Sequence, residues 1–413
     1  MLDRGVPSTF ANLKHLYTDS SKKETLSQLA KEYLEQKKSS SDSEEDQESL
    51  KGRPAALYYL AQHYNYHLSR DLTKAMEYVE EGVKIVPKNL EFHMTKARIW
   101  KHHGNTKKAA ETMDQARNLD LKDRYINSMT AKYQLRNDEP AKALQTMSLF
   151  TRNDTTGGPL QDLLDMQCVW YLTEEGETHV RVGNVGLALK RFQAVYSIFD
   201  VWQEDQFDFH SFTLRKGQIR AYIDMIRWED RLREHPFYTR AALGAIALYI
   251  GMFDARQMAA IANANGNGAE AAEANGEEAA EKKKAAKKAR KDAQKAEREA
   301  AEKAAKQDPN KAKAANASGE PVRRDDDPNG FRLAATETPL AEATKFLGPL
   351  LQFSPKYVDG HIAGFEVYIR RGKYPNSPLL NPFFCPLLYA MPFTISPPYS
   401  PPSQRNTSSP YGV

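Results

Sequence analysis

The segments KAMEYVEEGV (residues 74–83), KAAETMDQAR (108–117) and KALQTMSLFT (142–151) each begin with a Lys-Ala pair, and successive pairs lie 34 residues apart. The residues four and seven positions after each of these alanines are apolar or small: Val79, Gly82, Met113, Ala116, Met147 and Phe150. A period of about 34 residues is typical of tetratricopeptide-like repeats, in which helix pairs bury their apolar faces against neighbouring pairs. The sequence therefore predicts an all-α fold, an α-solenoid of antiparallel helix pairs.

The first repeat shows the helical pattern most clearly. Its apolar residues recur at steps of three and four and so share one helix face: Leu72, Ala75, Met76, Val79, Val83 and Val86. Pro87 follows, as expected just beyond a helix end. Further helices are expected near 55–68, 89–103, 106–118, 123–136, 139–151, 160–178 and 185–199. The agreement of apolar positions among the repeats argues against a chance alignment of common residues.

Changes in composition divide the chain into five predicted segments. They are N-terminal helices with a Ser-rich acidic loop (1–53), the tetratricopeptide-like solenoid (54–261), a basic linker rich in Ala, Lys and Glu (262–330), a further helix pair (331–374) and a Pro/Ser-rich tail (375–413). The linker has no apolar stripe, so we expect a solvated charged helix or a disordered segment. The tail has apolar pairs such as Leu379-Leu380 and Phe383-Phe384 but no helical period, so we expect disorder. It resembles a misread intron or a shifted reading frame, an artefact of the gene model, more than an evolved segment.

The overall composition limits the classes of function. The net charge is +4 over 413 residues, which is too small to indicate that the chain as a whole binds DNA. The two cysteines, Cys168 and Cys385, cannot build a disulfide framework, which fits a reducing compartment. The longest apolar run, 241–252, is far shorter than the roughly 20 residues that a membrane span needs. We therefore expect a soluble intracellular protein with no membrane partner.

Two patterns that could carry chemistry are weak. The histidines His63, His93, His102 and His103 lack the spacing and the additional ligands of a zinc site, so we predict no metal. The glycines in RVGNVG (181–186) only faintly resemble a phosphate loop, because no strand precedes them, and a turn between repeat helices explains them equally well. We find no nucleophile and base arrangement and predict no catalytic residue.

A basic group inside the repeats is a candidate binding site. It consists of Arg124, Lys132, Tyr133 and Arg136 on one predicted helix, with Arg152 in the following loop. Lys132 and Arg136 are four residues apart, so they project from one helix face. Such cations suit a multiply phosphorylated ligand or an acidic partner surface. The alternative is a set of ordinary solvent-facing charges.

The linker holds a second basic group, between residues 282 and 306. Its densest part consists of Lys282, Lys283, Lys284, Lys287, Lys288, Arg290 and Lys291. Local positive charge binds polyanions through counterion release, so a contact with ribosomal RNA is the functional interpretation. No aromatic residues are interleaved to stack bases, which argues against sequence-specific recognition. A solvated charged helix is the alternative.

Several longer segments resemble one known family. They are LYYLAQHYNY (57–66), KHHGNTKKAAETMDQARNL (101–119), DRYINSMTAKYQL (123–135), MQCVWY (166–171), DQFDFHSFTLRK (205–216), HPFYTRAA (235–242), ETPLAEATKF (337–346) and FEVYIRRGKY (365–374). With them the chain resembles the large auxiliary subunit of the N-terminal acetyltransferase A complex, as a fragment. The family's subunit is much longer, so we expect the N-terminal part of its solenoid to be absent here.

This resemblance implies a non-catalytic scaffold rather than an enzyme. A member of the family wraps a separate catalytic subunit and tethers it to the ribosome for co-translational N-terminal acetylation, in the cytoplasm with a further nuclear pool. Acetyl-CoA is then expected on the catalytic partner only. The family also holds inositol hexakisphosphate as a structural ligand between its subunits, and the basic group around Lys132 and Arg136 is our candidate contribution.

Two other functions remain as alternatives, a generic tetratricopeptide-repeat adaptor and a basic ribosome or nucleic-acid binder. A chaperone-binding adaptor needs Lys and Asn at the concave positions of its first helices. The inferred register instead places there Leu60, Tyr64, Thr95, Tyr125 and Met129. These residues predict an apolar partner surface.

Overall fold

The structure is a computed structural model that describes residues 1–39, 50–153, 157–265, 325 and 327–372, without the side chains of 206–214 and 263–265. Every regular element within these ranges is a helix, and the expected all-α fold is confirmed. The described residues form two compact units, Met1–Thr151 and 152–372. The boundary between them falls inside the segment that the sequence suggested as one solenoid, 54–261.

The first unit contains eight α-helices among its described residues. They are α1 (Thr9–Leu13), α2 (Ser20–Ser39), α3 (Arg53–Asn65), α4 (Leu72–Ile85), α5 (Leu90–His102), α6 (Thr106–Arg117), α7 (Arg124–Arg136) and α8 (Pro140–Met147). Short 3-10 helices cover Leu2–Arg4, Lys14–Thr18 and Ser148–Phe150. From α2 to α8 each helix packs against the next one along the chain. This nearest-neighbour packing is what stacked helix pairs require.

The repeated alanines lie where the helices of the first unit press together. Ala75, Ala109 and Ala143 are all buried. The preceding residues, Lys74, Lys108 and Lys142, are exposed. Gly82 in α4 has the same role as the alanines, because a Cβ added there would lie 2.1 Å from Cε1 of Phe92 in α5. The 34-residue period thus arises because the same contact between helices recurs in each repeat.

Polar caps explain where several of these helices begin. The side chains of Asp71, Asn89, Asn105 and Asp123 accept hydrogen bonds from backbone N–H groups in the first turns of α4, α5, α6 and α7. These N–H groups have no partner within the helix, so a cap contributes about 1 kcal/mol. Pro54 stands in the first turn of α3, where its missing N–H costs nothing.

The N-terminal segment is attached to the repeats by a buried aromatic cluster. The Tyr17 hydroxyl forms hydrogen bonds with the Tyr59 hydroxyl (2.9 Å) and with Nδ1 of His63 (2.8 Å). Phe10 packs edge-on against Tyr17 and Tyr59, with ring centroids 5.5 and 5.8 Å apart. Residues 1–39 therefore pack against the repeats at α3.

The second unit contains α9 (Gly158–Asp165), α10 (Val169–Arg181), α11 (Val185–Arg215), α12 (Ile219–Glu229), α13 (Pro236–Asn265), α14 (Phe331–Ala334), α15 (Pro339–Phe353) and α16 (Val358–Arg370). A 3-10 helix covers Leu232–Glu234. Phe192 of α11 lies at the centre, because glycines at 176 and 244 let α10 and α13 approach its ring closely. The side chains of α15, with Phe346 fully buried, complete this core.

Two helix boundaries differ from the sequence-based expectation. The helix expected over 160–178 is two helices, because the chain turns at Gln167, whose φ is 52°. The helix expected to end at 199 continues to Arg215, since no Gly or Pro interrupts it until Gly217, whose φ is 65°. Helix breakers, and not the end of the apolar period, set this second boundary.

Candidate functional site: a cationic cluster on two repeat helices

Helices α5 and α7 are the first helices of two successive repeats, and both carry cations toward their C-terminal ends. Arg98 of α5 and Lys132 of α7 are 34 residues apart and occupy equivalent positions. Lys101 lies in the last turn of α5, and Arg136 lies in the last turn of α7. Because the repeats stack side by side, equivalent residues become neighbours on one face of the stack.

The electrostatics of Lys101 show that these cations form one cluster. Burial, together with the nearby charges of Arg136, Arg98, Lys132 and Arg70, lowers the pKa of Lys101 to about 8. Burial penalises the ammonium ion, and four neighbouring cations repel it. The cationic cluster is therefore a set of five side chains that share one environment: Arg70, Arg98, Lys101, Lys132 and Arg136.

Tyrosines and one acid lie beside the cluster. Arg98 donates from Nη2 to the Tyr125 hydroxyl at 3.4 Å. The Tyr58 hydroxyl donates to Glu91 at 2.7 Å. Tyr133, a predicted site residue, is buried, and burial raises the pKa of its hydroxyl. Tyr133 therefore supports the helix packing beneath the cluster and presents little surface to a ligand.

The structure brings together only part of the predicted basic group. Lys132 and Arg136 belong to the cluster. Arg124 is exposed in the first turn of α7, and twelve residues at 1.5 Å each place it about 18 Å along the helix from Arg136. Arg152 belongs to the second unit, where it pairs with the buried Asp162 at 2.7 Å.

Sequence reasoning missed Arg70, Arg98 and Lys101. The repeat period itself could have identified Arg98, because adding 34 to its number gives Lys132. Lys101 has no cationic equivalent, since the same addition gives Leu135. Arg70 lies in the turn between α3 and α4, and no helical pattern predicts where a turn residue points.

The predicted concave surface is partly wrong. Leu60 and Thr95 are buried, with 0% and 1% of their surface exposed, so they belong to the interior of the repeat stack. Tyr125 is exposed, and Tyr64 and Met129 are half-buried. Only these last three can contribute to a partner surface. A change of one position along a helix turns a side chain by about 100°, so a small error in the inferred register is enough to exchange a surface residue for an interior one.

The histidines have partners within the protein. His102 shares a hydrogen bond with Oδ1 of Asn65, and His63 shares one with the Tyr17 hydroxyl. Burial, with nearby cations, lowers the pKa of His63 to about 4 and that of His102 to about 3. No group of three His, Cys, Asp or Glu in the described ranges is arranged to hold a metal ion.

The glycines of RVGNVG have structural roles. Gly183 has a φ of 80° and forms the turn between α10 and α11. Gly186 lies against the backbone of Gly330, where an added Cβ would come within 2.5 Å of the Asn329 carbonyl oxygen. Lys190, one turn further along α11, donates to the Asp327 carbonyl at 2.6 Å and also pairs with Asp325. This stretch of α11 therefore anchors the chain where it returns after the basic linker.

The remaining predicted residues can be located only in part. The basic group of the linker, Lys282 to Lys291, lies outside the described residues, as does the tail after 372. In the part of the chain that is described, no helix is long and apolar enough to cross a bilayer.

The comparison with known families decides the identity of the fold. The profile of the family described as "N-terminal acetyltransferase A, auxiliary subunit" matches residues 1–377. The chain belongs to this family. The resemblance found in the sequence is thus confirmed, and so is the expectation of an auxiliary subunit rather than a catalytic one.

Individual relatives agree with this family assignment. The chain is 38% identical over 386 residues to the "N-terminal acetyltransferase A complex auxiliary subunit NAA15" of Arabidopsis thaliana, covering 91% of this chain and 40% of the relative. It is 37% identical over 381 residues to "N-alpha-acetyltransferase 16, NatA auxiliary subunit" of Homo sapiens, covering 90% and 43%. The chain therefore spans about two fifths of the length of these curated relatives.

A solved structure also matches the fold. A chain from the structure of Naa15/Naa10 bound to HypK-THB is 56% identical to the present chain and superimposes with a TM-score of 0.67. The match covers 91% of this chain and 45% of that chain. The predicted helical solenoid is confirmed by this likeness.

Proposed function

We propose that this chain is a non-catalytic scaffold that binds and positions the catalytic subunit of the N-terminal acetyltransferase A complex. The observation that carries the proposal is the family match over residues 1–377, together with the 56% identity to a chain solved in complex as Naa15/Naa10. The fold supports it, because a stack of helix pairs presents extended surfaces to a partner. Acetyl-CoA and the catalytic residues then belong to the partner.

Co-expression tests this proposal directly. The chain and a catalytic subunit are produced together, with a tag on the chain alone. We expect co-purification in a fixed ratio, and acetylation of peptides that begin with Ser or Ala. Absence of co-purification would contradict the scaffold function for this chain and leave the generic repeat adaptor as the remaining interpretation.

The cationic cluster is the proposed site of inositol hexakisphosphate, as a structural ligand. The residues fit a polyanion because Arg136, Arg98, Lys132 and Arg70 all raise the electrostatic cost of a charged Lys101. Phosphate groups would remove this repulsion, and guanidinium and ammonium groups are strong donors to phosphate oxygens. Lys101, Lys132 and Arg136 would hold the ligand, with Arg98 and Arg70 completing the positive field.

Proton uptake gives this site a sharp test. Since the pKa of Lys101 is about 8, a bound polyanion should raise it, and about half a proton should be taken up on binding at pH 8. Calorimetry in buffers of different ionisation enthalpy measures this number. The uptake should disappear in Lys101→Met, while binding is weakened but still detectable.

Charge-matched variants provide the control. Lys132→Gln with Arg136→Gln should weaken inositol hexakisphosphate binding by at least about 100-fold, because two charge-assisted contacts of about 1.5–3 kcal/mol each are lost. Lys107→Gln with Lys122→Gln removes two exposed charges from the same unit and should change binding less than about threefold. Equal losses in the two pairs would indicate a diffuse electrostatic attraction and no site.

We further propose that the basic linker tethers the complex to the ribosome, through ribosomal RNA, in the cytoplasm. Its charge supports the contact, with seven Lys and Arg residues between 282 and 291. Deletion of 281–306 should weaken ribosome co-sedimentation and lower its dependence on salt concentration. A control deletion of the same length within the tail, 378–403, should leave both unchanged. An unaltered sedimentation profile after the first deletion would contradict the tether.

A further inference from the structure

Helix α12 lies outside the core of the second unit. Among the described helices of five or more residues, it alone has no buried residue. It packs mainly against α11, from which the chain reverses at Gly217. Tyr222, Met225, Ile226 and Glu229 are half-buried. At 100° per residue these four lie within a sector of about 100°, which is therefore the side of the helix that faces α11.

Exposed isoleucines and arginines lie beside this half-buried side. Ile219 and Ile223 are exposed by 66% and 42% and are one helical turn apart. Arg220 and Arg227 are also exposed, and they lie next to the isoleucines on the side further from α11. All four fall within a sector of about 100° and form the isoleucine–arginine ridge.

The charges around the N-terminus of α12 are positive. Arg215 and Lys216 precede the helix, and Arg220 lies in its first turn, which has no acidic residue and no side-chain cap. The first N–H groups of a helix have no partner within it and form its positive end, so these cations stand where negative charge is favoured. A carboxylate from another molecule would accept hydrogen bonds from these N–H groups and reduce the repulsion among the cations.

The acidic residues of α12 do not neutralise the ridge. Asp224 lies 3.8 Å from Nη1 of Arg227, but both side chains are mostly exposed, and such surface pairs contribute at most about 1 kcal/mol. Glu229 lies on the half-buried side, away from Arg220 and Arg227. The ridge therefore presents positive charge beside an aliphatic surface.

This combination favours an acidic, amphipathic protein segment over other occupants. Two isoleucines offer too little apolar surface to hold a bilayer, into which an interfacial helix inserts a whole apolar face. RNA binds cations through its phosphates and stacks its bases on aromatic rings, so it makes no use of exposed isoleucines. A second copy is disfavoured as well, because two ridges packed antiparallel would bring Arg220 of one copy opposite Arg227 of the other.

We propose that the isoleucine–arginine ridge is a docking surface for an acidic amphipathic helix of a partner protein. Apolar side chains at every third or fourth position of that helix pack on Ile219 and Ile223. Its Asp and Glu side chains pair with Arg220 and Arg227, and one carboxylate caps the first turn of α12. The ridge belongs to the second unit, whereas the cationic cluster belongs to the first, and the proposal does not depend on the scaffold function.

A synthetic peptide tests the proposal with the full chain. The probe is a helix of about four turns, with leucines at steps of three and four and glutamates on both flanks. Its binding is measured by fluorescence anisotropy, and hydrogen exchange should show slower exchange of the α12 amides in the complex. Arg220→Glu with Arg227→Glu should weaken binding at least about tenfold, and so should Ile219→Ser with Ile223→Ser. A second peptide, with lysines in place of the glutamates, should bind the glutamate variant more tightly than it binds the unchanged protein.

Two matched controls separate the ridge from general attraction. Trp228→Ser removes a larger exposed side chain from the opposite side of α12, 180° from Ile219, and should change binding less than about twofold. Arg256→Glu with Lys356→Glu exchanges two exposed cations elsewhere in the second unit and should change it less than about threefold. Because the substituted residues are not buried, circular dichroism and thermal unfolding should be unchanged in every variant.

Several results would overturn the proposal. Equal weakening by the Arg256 and Lys356 control would indicate diffuse attraction of acidic peptides. Binding that survives both isoleucine substitutions, or protection from exchange outside α12 alone, would exclude docking on the ridge. A single-stranded RNA oligonucleotide or phosphatidylserine vesicles that bind more tightly than the peptide, through Arg220 and Arg227, would assign the ridge to a polyanion. Self-association that is lost with the isoleucines would assign it to a second copy.

Discussion

Replacement of Gly82 by alanine tests whether helix contacts, and not helix propensity, fix the repeat. The new Cβ would lie 2.1 Å from Cε1 and 2.4 Å from Cζ of Phe92. The ring cannot easily move, because Phe92 is fully buried and packs edge-on against Tyr58 at 5.6 Å. Alanine stabilises a helix by about 1 kcal/mol relative to glycine, whereas overpacking a core costs about 1–3 kcal/mol. Because the contact is this short, we take the overpacking cost as about 3 kcal/mol, the upper end of its range, and expect the free energy of unfolding to fall by about 2 kcal/mol.

A double-mutant cycle isolates the contact. Phe92→Ala removes Cδ1, Cε1 and Cζ, the three atoms that would lie within 2.6 Å of the new methyl group. In this background Gly82→Ala should be neutral or stabilising by up to about 1 kcal/mol, so the coupling is about 2–3 kcal/mol. Hydrogen exchange of the α4 and α5 amides measures the local free energy of opening, and urea unfolding gives the global value.

Gly251→Ala is the matched control. Gly251 lies inside α13, and no atom of the described residues comes within 4 Å of an added Cβ, so only the propensity gain of about 1 kcal/mol should appear. Stabilisation of the otherwise unchanged protein by Gly82→Ala would refute the contact as the cause. Equal costs of Gly82→Ala in the presence of Phe92 and in the Phe92→Ala background would refute it as well.

Three further predictions concern buried polar groups and the anchor of the returning chain. The pKa of His63 is about 4 in the folded state and about 6.5 in the unfolded state. Between these values the unfolded state binds more protons, so the free energy of unfolding falls as the pH drops from 6.5 to 4. His63→Gln should flatten this part of a stability-versus-pH curve. Glu175→Ala should lower the free energy of unfolding by about 3–5 kcal/mol, because the buried Arg191 lies 2.5 Å from the Glu175 carboxylate and would lose this partner. Thermal unfolding measures the loss. A loss below about 1 kcal/mol would show that water replaces the carboxylate at Arg191. Gly186→Ala should displace Gly330 and expose the bonds near 325–334 to limited proteolysis, and an unchanged cleavage rate would contradict the close backbone contact.

The candidate site shows how far the repeat pattern can be extrapolated. Lys132 and Arg136 could be placed on one face from their spacing alone, and the 34-residue period extends this face to Arg98. Lys101 and Arg70 join the cluster only through the stacking of α5 against its neighbours and through the turn after α3. Arg124 does not belong to the cluster, because it lies twelve residues from Arg136 along α7 and a helix rises about 1.5 Å per residue.

By itself the sequence determined the all-α class, most of the helices and the repeated contacts at Ala75, Ala109 and Ala143. The alanine period, the Asp and Asn caps and the glycine and proline breaks are local signals, and each acts through residues within a few positions. The tertiary structure alone decided that Leu60 and Thr95 are interior residues and that Gly186 meets Gly330. It also decided that Lys101 shares its surroundings with four other cations. Burial and electrostatics depend on groups that are distant in the chain, and one residue of helical rotation is enough to exchange a surface position for a core position.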